Sequence, residues 1–118
     1  MTDLIACYSS GKGTQLHVQK VIEGRAWNRV YLVTPSSEKE SLSIPKTAEK
    51  IMIDTSQTIV EMASQIQKAL NGKITDLEVA LNLVSGEGRE HMAVISALLK
   101  LGMGIRLVAL TKEGVKVL

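Results

Sequence analysis

The stretch LEVALNLVSGEGREHMAVISALLKLGMGIRLVAL, residues 77–110, decides the fold. Its first part, 77–84, is short and apolar and stops at a Ser-Gly segment, which predicts a buried strand. A helix-length segment then ends at Gly102, and the apolar run 105–110 predicts another strand. Strand, helix and strand in this order indicate a crossover unit, in which both strands run parallel in one sheet.

The rest of the chain repeats this alternation. The predicted strands are 4–8, 29–34, 50–54, 77–84, 105–110 and 115–118. The predicted helices are about 14–22, a short one opening with capping-box residues at 37–40, one over 59–70, and one whose inner face carries Met92, Ile95, Leu98 and Leu99. We therefore expect one domain over 1–118: α/β, Rossmann-like and doubly wound, with a mostly parallel sheet, a C-terminal β-hairpin and three αβα layers.

Composition and charge narrow the function classes. The chain has no Phe, one Trp and two Tyr, so it has few side chains on which nucleic-acid bases could stack. A net charge of +2 from 14 basic and 12 acidic residues is too balanced for a DNA-binding surface, and we expect no direct binding of double-stranded DNA. The single cysteine, Cys7, indicates a reducing, cytoplasmic compartment. No apolar run reaches about 18 residues, so we expect no membrane span.

A candidate anion-binding loop follows the first predicted strand. It consists of Ser9, Ser10, Gly11, Lys12, Gly13 and Thr14. The two glycines let the backbone approach a ligand closely, and hydroxyl groups and one ammonium group surround it. The start of the following helix adds unpaired N–H groups and the positive end of its dipole. The alternative is an ordinary glycine-rich turn with a solvated lysine.

Part of this loop, Gly11-Lys12-Gly13-Thr14-Gln15, resembles the end of the phosphate-binding loop of adenylate kinases. The full pattern has a further glycine where this chain has Ala6. The resemblance implies a P-loop nucleotide-binding protein, with Asp54 as the candidate magnesium-binding carboxylate. The alternative role of Asp54 is to cap the next helix.

A second candidate loop follows the fourth predicted strand. It consists of Ser85, Gly86, Glu87, Gly88 and Arg89, with His91 one turn into the helix. A guanidinium can donate two hydrogen bonds to a phosphate, and an imidazole can move a proton. The alternative is an ordinary charged first helical turn. Because the first and fourth strands are expected near the middle of the sheet, we expect both loops to meet at its carboxyl edge.

The order from Asn82 onwards, a strand, a Ser-Gly loop with a basic residue, a Met-containing helix, a strand and a hairpin, resembles the CRISPR-associated Rossmann-fold (CARF) domains. The resemblance implies a homodimer that binds a cyclic oligoadenylate second messenger in a two-fold symmetric cleft, in CRISPR antiviral signalling. The residues that match the family's first-strand loop by position are Ser9, Ser10, Gly11, Lys12 and Thr14. Those that match its fourth-strand loop are Gly86, Glu87, Gly88, Arg89 and His91.

The resemblance leaves open whether the ligand is only bound or also cleaved. A metal-independent ring nuclease would align a ribose 2′-hydroxyl with its phosphate, and Lys12, Arg89 and His91 are the candidates to stabilise charge or move a proton. We expect no metal site and no cofactor, because the chain has one Cys, two distant His and no paired acidic motif. We expect His17 at the surface and Trp27 in packing.

Overall fold

The computed structural model of the protein contains strands and helices in a mixed order. It describes residues 2–9, 12–36 and 47–118, and it describes only the backbone of Lys12. The elements are β1 (Asp3–Cys7), α1 (Lys12–Gly24), β2 (Val30–Pro35), β3 (Ala48–Ile53), α2 (Ile59–Leu70), β4 (Glu78–Asn82), α3 (Gly88–Lys100), β5 (Gly104–Thr111) and β6 (Gly114–Val117). The short helix predicted from residue 37 lies outside the described residues.

The strands form a sheet in the order β3-β2-β1-β4-β5-β6. Strands β1 to β5 pair in parallel, and β6 pairs antiparallel to β5. This arrangement confirms the predicted α/β, Rossmann-like, mostly parallel sheet with a C-terminal hairpin. It also confirms that the first and fourth strands are neighbours in the middle of the sheet.

Helices cover both faces of the sheet and complete three layers. Side chains alternate between the faces along β1, so that Leu4 and Ala6 pack with α1 while Ile5 and Cys7 pack with α2 and α3. Trp27 packs at the margin of the α1 layer, as expected, and its indole N–H donates to the carbonyl oxygen of Val21 at 2.9 Å.

Helix α2 begins at a capping box, and the residue that caps it is Thr58. The Thr58 hydroxyl accepts from the Glu61 amide at 3.1 Å, and the Glu61 carboxylate accepts from the Thr58 amide at 3.1 Å. Asp54 instead accepts hydrogen bonds from the hydroxyl and the amide of Ser56, which hold the pKa of Asp54 below its ordinary value. The expectation that Asp54 caps this helix was therefore wrong.

The inner face of α3 differs from the predicted one. Leu98 is buried as expected, but its buried neighbours are mostly small: Ala93, Val94 and Ala97. Met92 and Leu99, predicted to face inwards, are each 62% exposed. The helix carries two apolar stripes, and the one with the small residues lets α3 approach the sheet and α2 closely.

Substitutions at Leu98 and Leu99 check this orientation. Leu98→Ala should lower the free energy of unfolding by about 2–5 kcal/mol, because it leaves a cavity in the core. Leu99→Ala should change it by no more than about 0.5 kcal/mol in dilute protein, because Leu99 is exposed. Urea unfolding of both variants measures this, and equal losses would contradict the orientation.

Candidate functional site

At the carboxyl ends of β1 and β4, the connections that leave the two neighbouring strands lead to opposite sides of the sheet. From β1 the chain crosses through α1 to β2 on one side, and from β4 it crosses through α3 to β5 on the other. Two connections that leave neighbouring strands in opposite directions open a crevice, and ligands of open α/β sheets bind in such crevices. The two candidate loops border this crevice.

Ser9 and Ser85 join the two loops directly. The Ser9 amide donates to Ser85 Oγ at 2.9 Å, and Ser85 Oγ donates to the Ser9 carbonyl oxygen at 3.3 Å. Both serines are buried. The predicted convergence of the loops is therefore confirmed, and the serines hold one loop against the other rather than presenting free hydroxyl groups to the crevice.

The N-terminus of α1 is a positive helix end at this crevice. The helix begins at Lys12, and its first turn contains no acidic residue. Gly13 is exposed, and a Cβ atom added there would meet no neighbour within 4 Å. Gln15 fastens the helix to the loop, because its side-chain amide donates to the Ser9 carbonyl oxygen at 3.0 Å. Of the other predicted residues, Thr14 is half-buried, whereas Ser10 and Gly11 lie outside the described residues.

The N-terminus of α3 holds a carboxylate of its own. The Glu90 side chain is buried, and its Oε2 atom accepts from the Glu87 amide at 2.9 Å. Gly86 has a φ of +90°, and a Cβ atom there would lie 2.7 Å from Glu90 Oε2. A side chain at this position would strain the backbone and displace the Glu90 carboxylate, which favours glycine in this turn. The carboxylate reduces the attraction of α3 for an anion, so α1 provides the stronger anion-binding end.

Arg89 binds a third loop at the same edge. Its two terminal nitrogens donate to the carbonyl oxygens of Thr55 at 3.0 Å and of Gln57 at 2.6 Å. The guanidinium thus ties the β3–α2 connection to α3. These bonds use two of its five N–H donors.

His91 supports the β4–α3 loop. Its Nε2 atom lies 2.8 Å from the carbonyl oxygen of Ser85. A carbonyl oxygen only accepts, so we assign the ring proton to Nε2. The imidazole therefore holds Ser85 from one side while Ser9 holds it from the other.

His17 is not the surface residue that was expected. It is half-buried, and its Nε2 atom accepts from the Leu110 amide at 3.3 Å and lies 3.1 Å from the Asn82 side-chain amide nitrogen. That nitrogen also donates to the Val108 carbonyl oxygen at 2.9 Å. The pairing of β4 with β5 ends at Leu81. Beyond that point the Asn82 side chain bonds the Val108 carbonyl oxygen and His17 bonds the Leu110 amide, so both backbone groups of β5 are satisfied. The sequence feature that could have indicated this contact is Asn82, a polar residue in a mostly apolar strand.

The connection between β1 and α1 spans residues 8–11. Ala6, at the position of the first glycine of a P-loop, lies inside β1 and pairs with Leu32 and Asn82. The position of the first glycine in the Gly-x-x-x-x-Gly-Lys pattern is therefore occupied by a strand residue with a side chain. This geometry disfavours the adenylate-kinase interpretation.

The described residues at the crevice supply few reactive groups. Burial, and then the neighbouring Glu90, raise the pKa of Cys7 to about 12, so its thiol stays protonated. Over the described ranges, no group of three or more His, Cys, Asp or Glu side chains is placed to hold a metal ion. In the same part of the chain, no helix is both long enough and apolar enough to cross a membrane.

The fold and the crevice define a class of protein: a Rossmann-like α/β domain with a candidate ligand site at the switch point of its sheet. No protein-family model, curated protein or solved structure matches the sequence. The assignment to this class therefore rests on the topology and on the contacts described above.

Removing the Ser85 hydroxyl tests the link between the loops. Ser85→Ala leaves the buried Ser9 amide without its acceptor and should lower the free energy of unfolding by about 1–3 kcal/mol. Ser64→Ala, at a half-buried helix serine of α2, is the control and should have a smaller effect. Chemical unfolding compares them, and a Ser85→Ala variant as stable as the parent would show that the serine contact is not needed.

The pKa of Cys7 makes stability depend on pH in the alkaline range. Above the ordinary thiol pKa of 9.0 the unfolded chain loses this proton while the folded chain keeps it up to about 12. The free energy of unfolding should therefore fall as the pH rises, by up to about 1.4 kcal/mol per unit from this group. Urea unfolding of the parent and of Cys7→Ala checks this. The free energy of unfolding of the parent, minus that of Cys7→Ala, should decrease as the pH rises above 9.0. A difference that does not change with pH would contradict the buried thiol.

Proposed function

We propose that this domain is a cytoplasmic, CARF-like sensor that binds a cyclic oligoadenylate second messenger at the crevice between β1 and β4, in CRISPR antiviral signalling. The observation that carries the proposal is the Ser9–Ser85 contact, which joins two glycine-containing loops at the switch point of the sheet. The resemblance of both loops to those of CARF domains supplies the ligand class.

The N-terminus of α1 supports a phosphate-bearing ligand, because its first turn contains no acidic residue. The helix dipole favours a negative charge at this end. The exposed Gly13 allows a phosphodiester to approach the backbone closely. In this proposal Lys12, the first residue of α1, supplies the positive charge for the phosphate.

Arg89 and His91 have supporting roles in this proposal. Arg89 holds the β3–α2 connection through Thr55 and Gln57, so it shapes a wall of the crevice and can turn its remaining donors towards the ligand. His91 holds the Ser85 carbonyl through Nε2.

A cyclic oligoadenylate is a symmetric anion, which suits a site shared by two copies of the chain. In a homodimer with a two-fold axis each loop occurs twice, so the repeating phosphates of the ring meet identical donors. Each protomer adds Lys12 and Arg89, and the pair of protomers would surround the ring with four positively charged groups.

Calorimetric titration with cyclic tetra-adenylate and cyclic hexa-adenylate, without magnesium, tests the proposal. We expect saturable binding of one of these rings at one ring per two chains. Lys12→Ala should weaken it by about 1–3 kcal/mol, because a charged hydrogen-bond donor to the ligand is lost. Lys20→Ala is the matched control, since Lys20 is an exposed lysine two turns further along α1, and it should bind like the parent.

The same titration separates the alternatives. The absence of heat with both rings, or full binding by Lys12→Ala, would contradict the proposal. Chromatography of the recovered ligand distinguishes a sensor, which returns the intact ring, from a ring nuclease, which returns linear products. Binding of ATP only after magnesium is added would favour the P-loop alternative.

A further inference from the structure

Asn71 and Gly72 lie in the turn that ends helix α2. Asn71 is the C-cap residue of the helix, and Gly72 follows it with a φ of +79°. Both residues are exposed. Because α2 runs back from the carboxyl end of β3 to the start of β4, this turn lies at the amino edge of the sheet. It is therefore at the opposite edge from the crevice.

An asparagine followed by glycine is open to a reaction with its own backbone, and asparagine is among the thermolabile residues of proteins. The backbone nitrogen of the next residue attacks the asparagine Cγ atom, a five-membered succinimide ring closes, and the side-chain amide leaves as ammonia. Water then opens the ring. Breaking the bond between Cγ and nitrogen gives aspartate, whereas breaking the bond between the main-chain carbonyl carbon and nitrogen gives isoaspartate.

Gly72 offers this attack little steric hindrance. It has no side chain beside the attacking nitrogen, and a Cβ atom added to it would meet no neighbour within 4 Å. Ring closure also needs rotation about the Cα–C bond of Asn71, whose ψ is 124°. The open space around Gly72 leaves room for that rotation.

The hydrogen bonds of this turn do not engage the reacting groups. The Asn71 N–H donates to the Gln67 carbonyl oxygen at 3.0 Å. The Lys73 N–H donates to the Leu70 carbonyl oxygen, also at 3.0 Å. Between them, neither the Gly72 N–H nor the Asn71 side chain has a hydrogen bond to any described residue. The two bonds therefore hold the ends of the turn but not the peptide group that reacts.

The other two asparagines of the chain lack these conditions. Asn28 precedes an arginine, and its side-chain amide donates to the Asp3 carboxylate at 2.8 Å. Asn82 precedes a leucine, is buried, and donates to the Val108 carbonyl oxygen at 2.9 Å. Of the three, all within the described residues, only Asn71 is exposed, without a side-chain hydrogen bond and followed by glycine.

We infer that Asn71 is a site of spontaneous deamidation, at which the folded protein converts into aspartate and isoaspartate forms that are less stable than the parent. Each conversion replaces a neutral amide by a carboxylate and lowers the net charge of +2 by one unit. The new charge lies at the C-terminus of α2, the negative end of the helix dipole. It also competes with Glu49 for Lys73, whose Nζ atom lies 2.9 Å from Glu49 Oε1. The inference does not depend on the ligand proposed for the crevice.

Peptide mass spectrometry of the folded protein, incubated in neutral buffer over days to weeks, tests the site. Trypsin releases residues 69–73 as one peptide, because one lysine precedes it and another ends it. We expect a form one mass unit heavier to increase with time. Isoaspartate should be the larger fraction of it, as judged against synthetic peptides of both products. The peptides that contain Asn28 and Asn82 should keep their mass, and a sample digested at the start corrects for conversion during digestion.

Two results would overturn the assignment of the site. One is an Asn71 that stays unchanged in the folded protein while a synthetic peptide of residues 69–73 converts, because the folded turn would then prevent ring closure. The other is conversion to aspartate alone, because direct hydrolysis of the side chain gives no isoaspartate.

Thermal unfolding of two variants tests the loss of stability. Asn71→Asp reproduces one product and should lower the unfolding midpoint by about 1–5 °C, because its charge opposes the helix dipole. Asn71→Gln is the matched control, since it keeps the turn neutral and would need a larger, slowly formed ring to react. It should unfold like the fresh parent and keep its midpoint during the same incubation, while the midpoint of the parent falls. An Asn71→Asp variant as stable as Asn71→Gln would overturn the claim that the modified forms are less stable.

Discussion

The contact between Ser9 and Ser85 is the constraint on which the rest of the site depends. It places the first residues after β1 against the first turn after β4, and both serines are buried. Parallel pairing of β1 with β4 brings the two loops to one edge, but pairing alone leaves their relative position free. The serine contact fixes that position. His91 and Gln15 then hold the same two loops from the sides, through the carbonyl oxygens of Ser85 and Ser9.

The two helix starts at this edge are not equivalent, although both follow glycine-containing loops. The start of α3 contains its own buried carboxylate, Glu90, and its arginine is tied to the β3–α2 connection. The start of α1 has no acidic residue, and Gly13 is open. The dipole of α1 is therefore not offset by an acidic residue in its first turn, whereas that of α3 is offset by Glu90. The contacts of Arg89 with Thr55 and Gln57 fix the β3–α2 connection whether or not an anion is bound.

The sequence was sufficient to predict the sheet and its centre, because short apolar runs alternate with helical patterns and Gly-containing turns follow β1 and β4. It was not sufficient to predict which side chains from distant parts of the sequence contact each other. Ser9 and Ser85 are 76 residues apart, and serines in turns are too common for their pairing to be recognised. The inner side of α3 was predicted from its large residues, whereas the small Ala93 and Ala97 pack inwards. Burial of Glu90 and His17 was missed because polar side chains are usually solvated.

The most direct test of the central claim, that a cyclic oligoadenylate binds at the edge where β1 and β4 end, is a residue-resolved NMR titration of the backbone amides with cyclic tetra-adenylate. Binding at the crevice should move the amide signals of Ser9, Gly13 and Gly86, and leave those of Asn28 and Leu77, at the opposite edge of the sheet, unchanged. Signals that do not move, or that move only at the opposite edge, would contradict the account.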